Sequence, residues 1–150
     1  IMPLAAVNNF GRAPTPGRDL LTGGVPCYNV YRTRDDRFMA VGALELKFWE
    51  GCCDVLARPD LKSSHWSLGQ AVGGTEAMAI KTELDAIFAQ QTLATWSERF
   101  AATDCCVSPI LRMDEALGHP LFQARRMVVP ARHPTEGSYV STAPAIKFHP

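Results

Sequence analysis

Hydrophobic and polar residues first alternate in a strand-like way and then recur at helical spacing. Two runs rich in β-branched and aromatic residues, 28–33 and 38–41, flank the charged tetrapeptide 34–37. Such runs favour strands and such a tetrapeptide favours a turn, so the pattern predicts a β-hairpin. The second strand leads through Gly42 into a helical pattern, which predicts a strand-to-helix corner at residues 42–45.

Three helices are predicted from apolar residues spaced about 3.6 residues apart. The first starts around the corner and ends near residue 57, because Pro59 interrupts it. Thr75 and Thr92 are typical N-cap residues and are predicted to begin the second and third helices. The faces predicted to pack inward consist of Ile80, Leu84, Ile87 and Phe88 in the second helix, and Leu93, Trp96 and Phe100 in the third.

The intervening residues 60–74 have no periodicity and are predicted to form a long polar connection, in which Trp66 is only a possible anchor. Further along, Pro109 predicts that a short strand at 105–111 is an edge strand. Two short helices and a final pair of strands around a turn follow at 113–118, 121–126, 127–131 and 138–142. The predicted fold class is therefore α+β: a small antiparallel sheet with several packed helices.

Composition excludes several classes of partner. The chain has 150 residues, 47% of them hydrophobic, which suffices for one ordinary core. Its 15 basic and 15 acidic side chains cancel and form no basic stripe, so we expect no nucleic-acid partner. No apolar run reaches the length that crosses a bilayer, so we expect no membrane partner.

Cysteine and histidine positions argue against disulfides and metal. The five cysteines include two adjacent pairs, Cys52–Cys53 and Cys105–Cys106, and neighbours in sequence rarely reach disulfide geometry. The four histidines are scattered without ligand spacing, so no metal is predicted. We interpret the cysteines as small core residues of a protein in a reducing, cytoplasmic compartment.

Several motifs in order resemble the second domain of family III CoA-transferases, which include the α-methylacyl-CoA racemases. Residues 20–35 read Leu-Leu-x-Gly-Gly-x-Pro-x-Tyr-x-x-Tyr-x-Thr-x-Asp, and residues 42–49 read Gly-Ala-Leu-Glu-x-x-Phe-Trp. Asp-x-Cys-x-x-Pro at 104–109, His-Pro at 119–120 and Pro-x-x-Lys-Phe at 144–148 continue the resemblance to the end of the chain. One departure is Asp36, which stands where many members have Gly after Asp, so a less tight hairpin turn is expected.

The resemblance implies a domain plan. Residues 1–24 would be a linker from a preceding large domain, 25–130 a small α+β domain, and 131–150 a C-terminal hairpin and tail returning toward the large domain. Position 1 is not Met, which also suggests a piece of a longer protein. The full-length protein is expected to be an interlocked homodimer.

The resemblance also implies a function. The substrate would be a coenzyme A thioester, with Glu45 as a supporting catalytic residue close to a histidine of the large domain, and Gly42, Ala43 and Leu44 as substrate-binding residues. The reaction would be racemisation of 2-methylacyl-CoA by α-proton abstraction, or transfer of CoA between carboxylic acids. The chain alone shows no complete catalytic constellation and is expected to be inactive. From the residues alone, two other interpretations stay open: Glu45 as an ordinary helix-terminal carboxylate, and the chain as a free-standing ligand-binding or dimerisation module.

Overall fold

The computed structural model describes residues 15–147, together with Ala5 and Val7. Half of the predicted linker (residues 1–4, 6 and 8–14) and the last three residues of the predicted tail lie outside the described part. The strands are β1 Tyr28–Arg32, β2 Phe38–Gly42, β3 Val107–Pro109, β4 Val128–His133 and β5 Gly137–Thr142. The helices are α1 Leu46–Val55, α2 Thr75–Phe88, α3 Leu93–Ala101, α4 Met113–Gly118 and α5 Pro120–Ala124, with 3-10 turns at Pro59–Ser63 and Trp66–Leu68.

The chain divides into two compact units, Ile1–Ile110 and Leu111–Pro150. In the first unit, an antiparallel sheet has the order β1-β2-β3. The β1–β2 hairpin aligns Tyr28 with Gly42, and β3 pairs with the other edge of β2, so the predicted hairpin and edge strand are confirmed. Asp36 takes the left-handed conformation of its turn, with φ 58°.

The two faces of this sheet differ in what covers them. On one face, Tyr31, Met39 and Val41 are buried beneath the helices. On the other face, Tyr28 and Val30 are exposed. This follows from the two-residue repeat of a strand, which sends successive side chains to opposite faces.

An aromatic cluster joins the sheet to α2 and α3. The rings of Tyr31 and Phe88 stack with centroids 4.9 Å apart, and Trp96 packs 5.0 Å from Phe88. The Trp96 indole donates a hydrogen bond to the carbonyl of Phe88 at 2.9 Å, and the Tyr31 hydroxyl donates to the carbonyl of Pro26 at 2.7 Å. The predicted inward faces of both helices are confirmed, because their residues are buried or, for Ile87, partly buried against the core. The polar ends of Tyr31 and Trp96 are also satisfied by hydrogen bonds.

Three local predictions need correction. Gly74, not Thr75, is the N-cap of α2, while Thr92 caps α3 as predicted, accepting from the Thr95 amide at 3.3 Å. Helix α1 ends at Val55, two residues before the predicted end. Cys106 is exposed while the other four cysteines are buried, because its backbone turns through φ 54° immediately after the buried Cys105.

The second unit contains α4, α5 and the β4–β5 hairpin, as predicted. None of its described residues, 111–147, is buried. A two-stranded hairpin with two short helices and no buried core is marginally stable by itself. Its more exposed apolar side chains are those of Met113, Leu117, Leu121, Phe122, Tyr139, Val140 and Ile146. The predicted domain boundary at residue 130 lies inside β4, and the predicted domain plan stays a prediction.

Candidate functional site

A groove of about 470 Å³ lies on the open face of the three-stranded sheet. A turn at residues 21–23 forms one wall, and the Asn29 amide secures it by donating to the carbonyl of Gly23 at 3.2 Å. The floor follows β1 and β2 and ends at Gly42. The groove is lined by Leu21, Thr22, Gly23, Tyr28, Asn29, Val30, Ala40, Val41, Gly42, Cys106 and Ser108. Small and apolar groups predominate, which suits an apolar ligand with few polar contacts.

The predicted corner begins at this groove. The Gly42 amide donates to the carbonyl of Cys106 at 2.8 Å, and a Cβ at Gly42 would lie 3.2 Å from that carbonyl oxygen. Glycine therefore allows β2 and the Cys106 turn to approach closely here. Ala43 is fully buried in the core and Leu44 is half-buried. Of the three predicted substrate-binding residues, Gly42 alone lines the groove, and contact with a substrate remains a prediction for each.

Glu45 is exposed at the end of the corner. It is the N-cap of α1 with extended backbone, and its carbonyl accepts from the amides of Phe48 and Trp49 at 3.0 and 3.1 Å. Its side chain makes no capping hydrogen bond. A carboxylate at this position usually accepts from the amides of the first turn. Here the backbone is held and the carboxylate is left available to solvent or to another group.

Two residues of the predicted polar connection pack against the corner. The Trp66 indole N–H donates to the carbonyl of Leu44 at 2.9 Å. His65 is 1% exposed, and its ring lies 5.6 Å from that of Trp66. Its Nδ1 accepts from the Ser67 amide at 3.2 Å, so a neutral ring carries its proton on Nε2. Nothing in the sequence singled out His65, which looked like one of four scattered histidines.

Burial makes His65 sensitive to acid. Burial lowers its pKa from the ordinary 6.5, and the backbone of Leu44 and Ala43 and the charge of Glu50 oppose this shift only in part. Nε2 has no partner at hydrogen-bond geometry among the described groups. The folded state therefore resists protonation of this ring more than the unfolded state does.

We therefore expect the free energy of unfolding to fall as pH drops below about 6.5, by at most about 1.4 kcal/mol per pH unit for this one proton. Urea unfolding at pH 7.5, 6.5 and 5.5 measures it. His65→Asn keeps an acceptor for the Ser67 amide and removes the titrating ring, so its loss between pH 7.5 and 5.5 should be smaller. Equal losses in both proteins would show that His65 does not carry the effect.

Nucleophilic chemistry is not evident at the buried thiols. Burial raises the pKa of Cys27 and of Cys53 to about 12, which keeps both protonated at neutral pH.

Within residues 15–147, no cluster of three or more His, Cys, Asp and Glu side chains is arranged to hold a metal ion. Among the described helices, none combines the length and the apolar character of a bilayer-spanning segment.

Comparison with known proteins decides the family. The model of CoA-transferase family III matches residues 2–150. The chain belongs to this family. Among curated members, alpha-methylacyl-CoA racemase from Homo sapiens is 38% identical over 103 residues, which are 69% of this chain and 26% of the relative. Formyl-CoA:oxalate CoA-transferase from Rhodopseudomonas palustris is 34% identical over 67% of this chain and 24% of the relative.

This family III chain spans about a quarter of the length of the curated relatives that it matches. A solved structure of similar fold is Rv3272 from Mycobacterium tuberculosis in its orthorhombic form. The TM-score is 0.66 at 15% identity, over 99% of this chain and 45% of that one. The likeness confirms the α+β fold with antiparallel sheets and packed helices. Glu45 and residues 42–44 lie in the corner that the resemblance indicated, and their roles remain predictions.

Proposed function

We propose that this chain is the C-terminal part of an enzyme that racemises 2-methylacyl-CoA by abstracting and returning the proton α to the thioester carbonyl. The observation that carries the proposal is an exposed Glu45 three residues after Gly42, which lines an apolar groove, in a chain whose relatives include alpha-methylacyl-CoA racemases. Transfer of CoA between carboxylic acids is the second candidate, favoured by the formyl-CoA:oxalate CoA-transferase relative.

The chemistry requires a group such as Glu45. Inverting the α-carbon needs an acid and a base on its two faces, with pKa values near the working pH. A carboxylate that accepts a hydrogen bond from a histidine fixes its tautomer and raises its basicity. Glu45 makes no capping bond that would compete for this task. We assign it a supporting role, with the groups that act directly on the substrate supplied by the rest of the protein.

The groove suits the apolar part of an acyl-CoA. Its volume of about 470 Å³ is within the range typical of ligand pockets, roughly 300–1,000 Å³. Gly42 brings backbone close to the ligand space, and the exposed faces of Tyr28 and Val30 offer apolar contact. The thioester end of the ligand would then lie toward the corner and Glu45.

Assembly follows from the exposed apolar surface. The second unit has no buried residue among 111–147, and contact with the remainder of a longer protein, or with a second copy, would cover side chains such as Met113 and Val140. We propose a homodimer of the full-length protein in the cytoplasm, with an acyl-CoA substrate, no metal, and no nucleic-acid or membrane partner. The isolated chain is proposed to be inactive.

Isotope exchange tests the proposal. Full-length protein is incubated with 2-methylacyl-CoA in D₂O, and deuterium at the α-carbon is followed by mass spectrometry. In parallel, the protein is given an acyl-CoA and a second carboxylic acid, and new thioesters are sought by chromatography. We expect α-deuteration without a second thioester.

The other outcomes identify the alternatives. A new thioester without exchange would replace racemisation by CoA transfer. If neither occurs while the acyl-CoA still binds, the chain belongs to a binding module without catalysis. A protein that neither reacts with nor binds acyl-CoA would overturn the proposal.

A further inference from the structure

We propose that Trp66 is a positioning residue that fixes the direction in which the Glu45 side chain leaves the backbone, through the peptide group joining Leu44 to Glu45. This inference rests on the proposed role of Glu45 and adds a residue that the family motif does not contain. Its basis is the 2.9 Å hydrogen bond from the Trp66 indole to the Leu44 carbonyl.

The peptide group explains how Trp66 acts at a distance. The Leu44 carbonyl and the Glu45 amide belong to one rigid plane. A donor that holds the carbonyl therefore also holds the amide nitrogen and limits φ of Glu45. On the far side, the Glu45 carbonyl is held by the amides of Phe48 and Trp49. With both flanking peptide groups fixed, the Cα–Cβ bond of Glu45 has one direction.

Glu45 needs such outside support. Its side chain makes no capping hydrogen bond, so its own helix does not orient the carboxylate in that way. The polar connection, residues 60–74, supplies the support that helix α1 does not. Trp66 is partly buried against the core, and the neighbouring His65 ring is buried and packs on it at 5.6 Å. A neutral His65 anchors this short segment from within, so the indole donor is itself held in place.

The test is a double-mutant cycle in the full-length protein. Trp66→Phe removes the indole N–H and keeps a ring, and Trp96→Phe is the matched control, because its indole also donates to a carbonyl at 2.9 Å but between α2 and α3. We expect Trp66→Phe to lower kcat on the order of tenfold, with KM within about twofold. Trp96→Phe should keep the wild-type kcat. In a Glu45→Gln background, Trp66→Phe should lower kcat no further, since both changes act on one group.

Each result has one consequence. If Glu45→Gln leaves turnover unchanged, the proposed function of Glu45 fails. If Glu45→Gln lowers turnover but Trp66→Phe does not, the positioning role fails and the proposed function stands. An equal loss from Trp66→Phe with and without Glu45 would also overturn positioning, because Trp66 would then act elsewhere. Circular dichroism checks folding first; should Trp66→Phe fail to fold, His65→Asn replaces it in the same cycle with the same expectation.

Discussion

Glu45→Gln in the full-length enzyme is expected to lower kcat by roughly 10²- to 10⁴-fold, the range lost when a carboxylate that holds a catalytic histidine in its tautomer is replaced by an amide. The amide keeps the size of the carboxylate but lacks the charge that supports the basicity of the histidine. Because the Glu45 side chain makes no capping hydrogen bond, the fold loses little: at most about 0.3–1 kcal/mol of helix-dipole stabilisation. Steady-state kinetics with 2-methylacyl-CoA and urea unfolding of the same sample measure the two effects.

Helix α1 provides a matched control. Glu50 is also exposed and lies five residues further along the same helix, so Glu50→Gln changes the net charge equally. Its charge acts on the corner residues only as the smallest influence on the pKa of His65. We expect it to keep wild-type kcat. Wild-type kcat for both variants would remove Glu45 from the site. An equal loss of kcat in both would point to the charge of the helix instead of one carboxylate.

The hairpin and the second and third helices were predictable because their signals are local. The strand residues around Tyr31 and Met39 alternate between buried and exposed, and α2 and α3 repeat apolar residues every three or four positions. Boundaries were less accurate. Thr75 has the chemistry of an N-cap, but Gly74 before it takes the extended conformation of the cap. A propensity argument favours the strong capping residue Thr75 and does not show that the residue before it is the cap.

The corner itself was predictable from the pattern, but a functional role for it was predictable only from the resemblance. Of its supports, Trp66 was predicted only as a possible anchor and His65 was not predicted. Spacing alone treats Glu45 as an ordinary helix-terminal carboxylate. The bond from Trp66 to Leu44 joins residues 22 positions apart, across a segment without periodicity. Cys106 was misinterpreted for a similar reason: its exposure depends on a left-handed backbone turn and a long-range bond to Gly42. Tertiary contacts of this kind leave no repeat in the sequence.

Gly24→Ala is expected to destabilise the chain by about 3 kcal/mol, because the second glycine of the Gly-Gly motif has no room for a Cβ. A Cβ there would lie 2.4 Å from the carbonyl oxygen of Arg18 and 2.8 Å from that of Asp19. Both obstacles are backbone atoms, so no side-chain rotation relieves the overlap. The turn would have to open. This would break two hydrogen bonds of 2.8 Å each, from the Gly24 N–H to the Asp19 carbonyl and from the Gly73 N–H to the Gly24 carbonyl.

Gly118→Ala is the control, because a Cβ at Gly118 meets nothing within 4 Å. Its free energy of unfolding should stay within about 0.5 kcal/mol of wild type. Urea unfolding with a common slope compares the two. Gly24→Ala should also raise KM for acyl-CoA, since the same turn carries Leu21–Gly23, one wall of the groove. A stable Gly24→Ala variant with raised KM would show that the turn moves at little cost. A stable variant with unchanged KM would show that this turn neither packs as described nor borders the ligand.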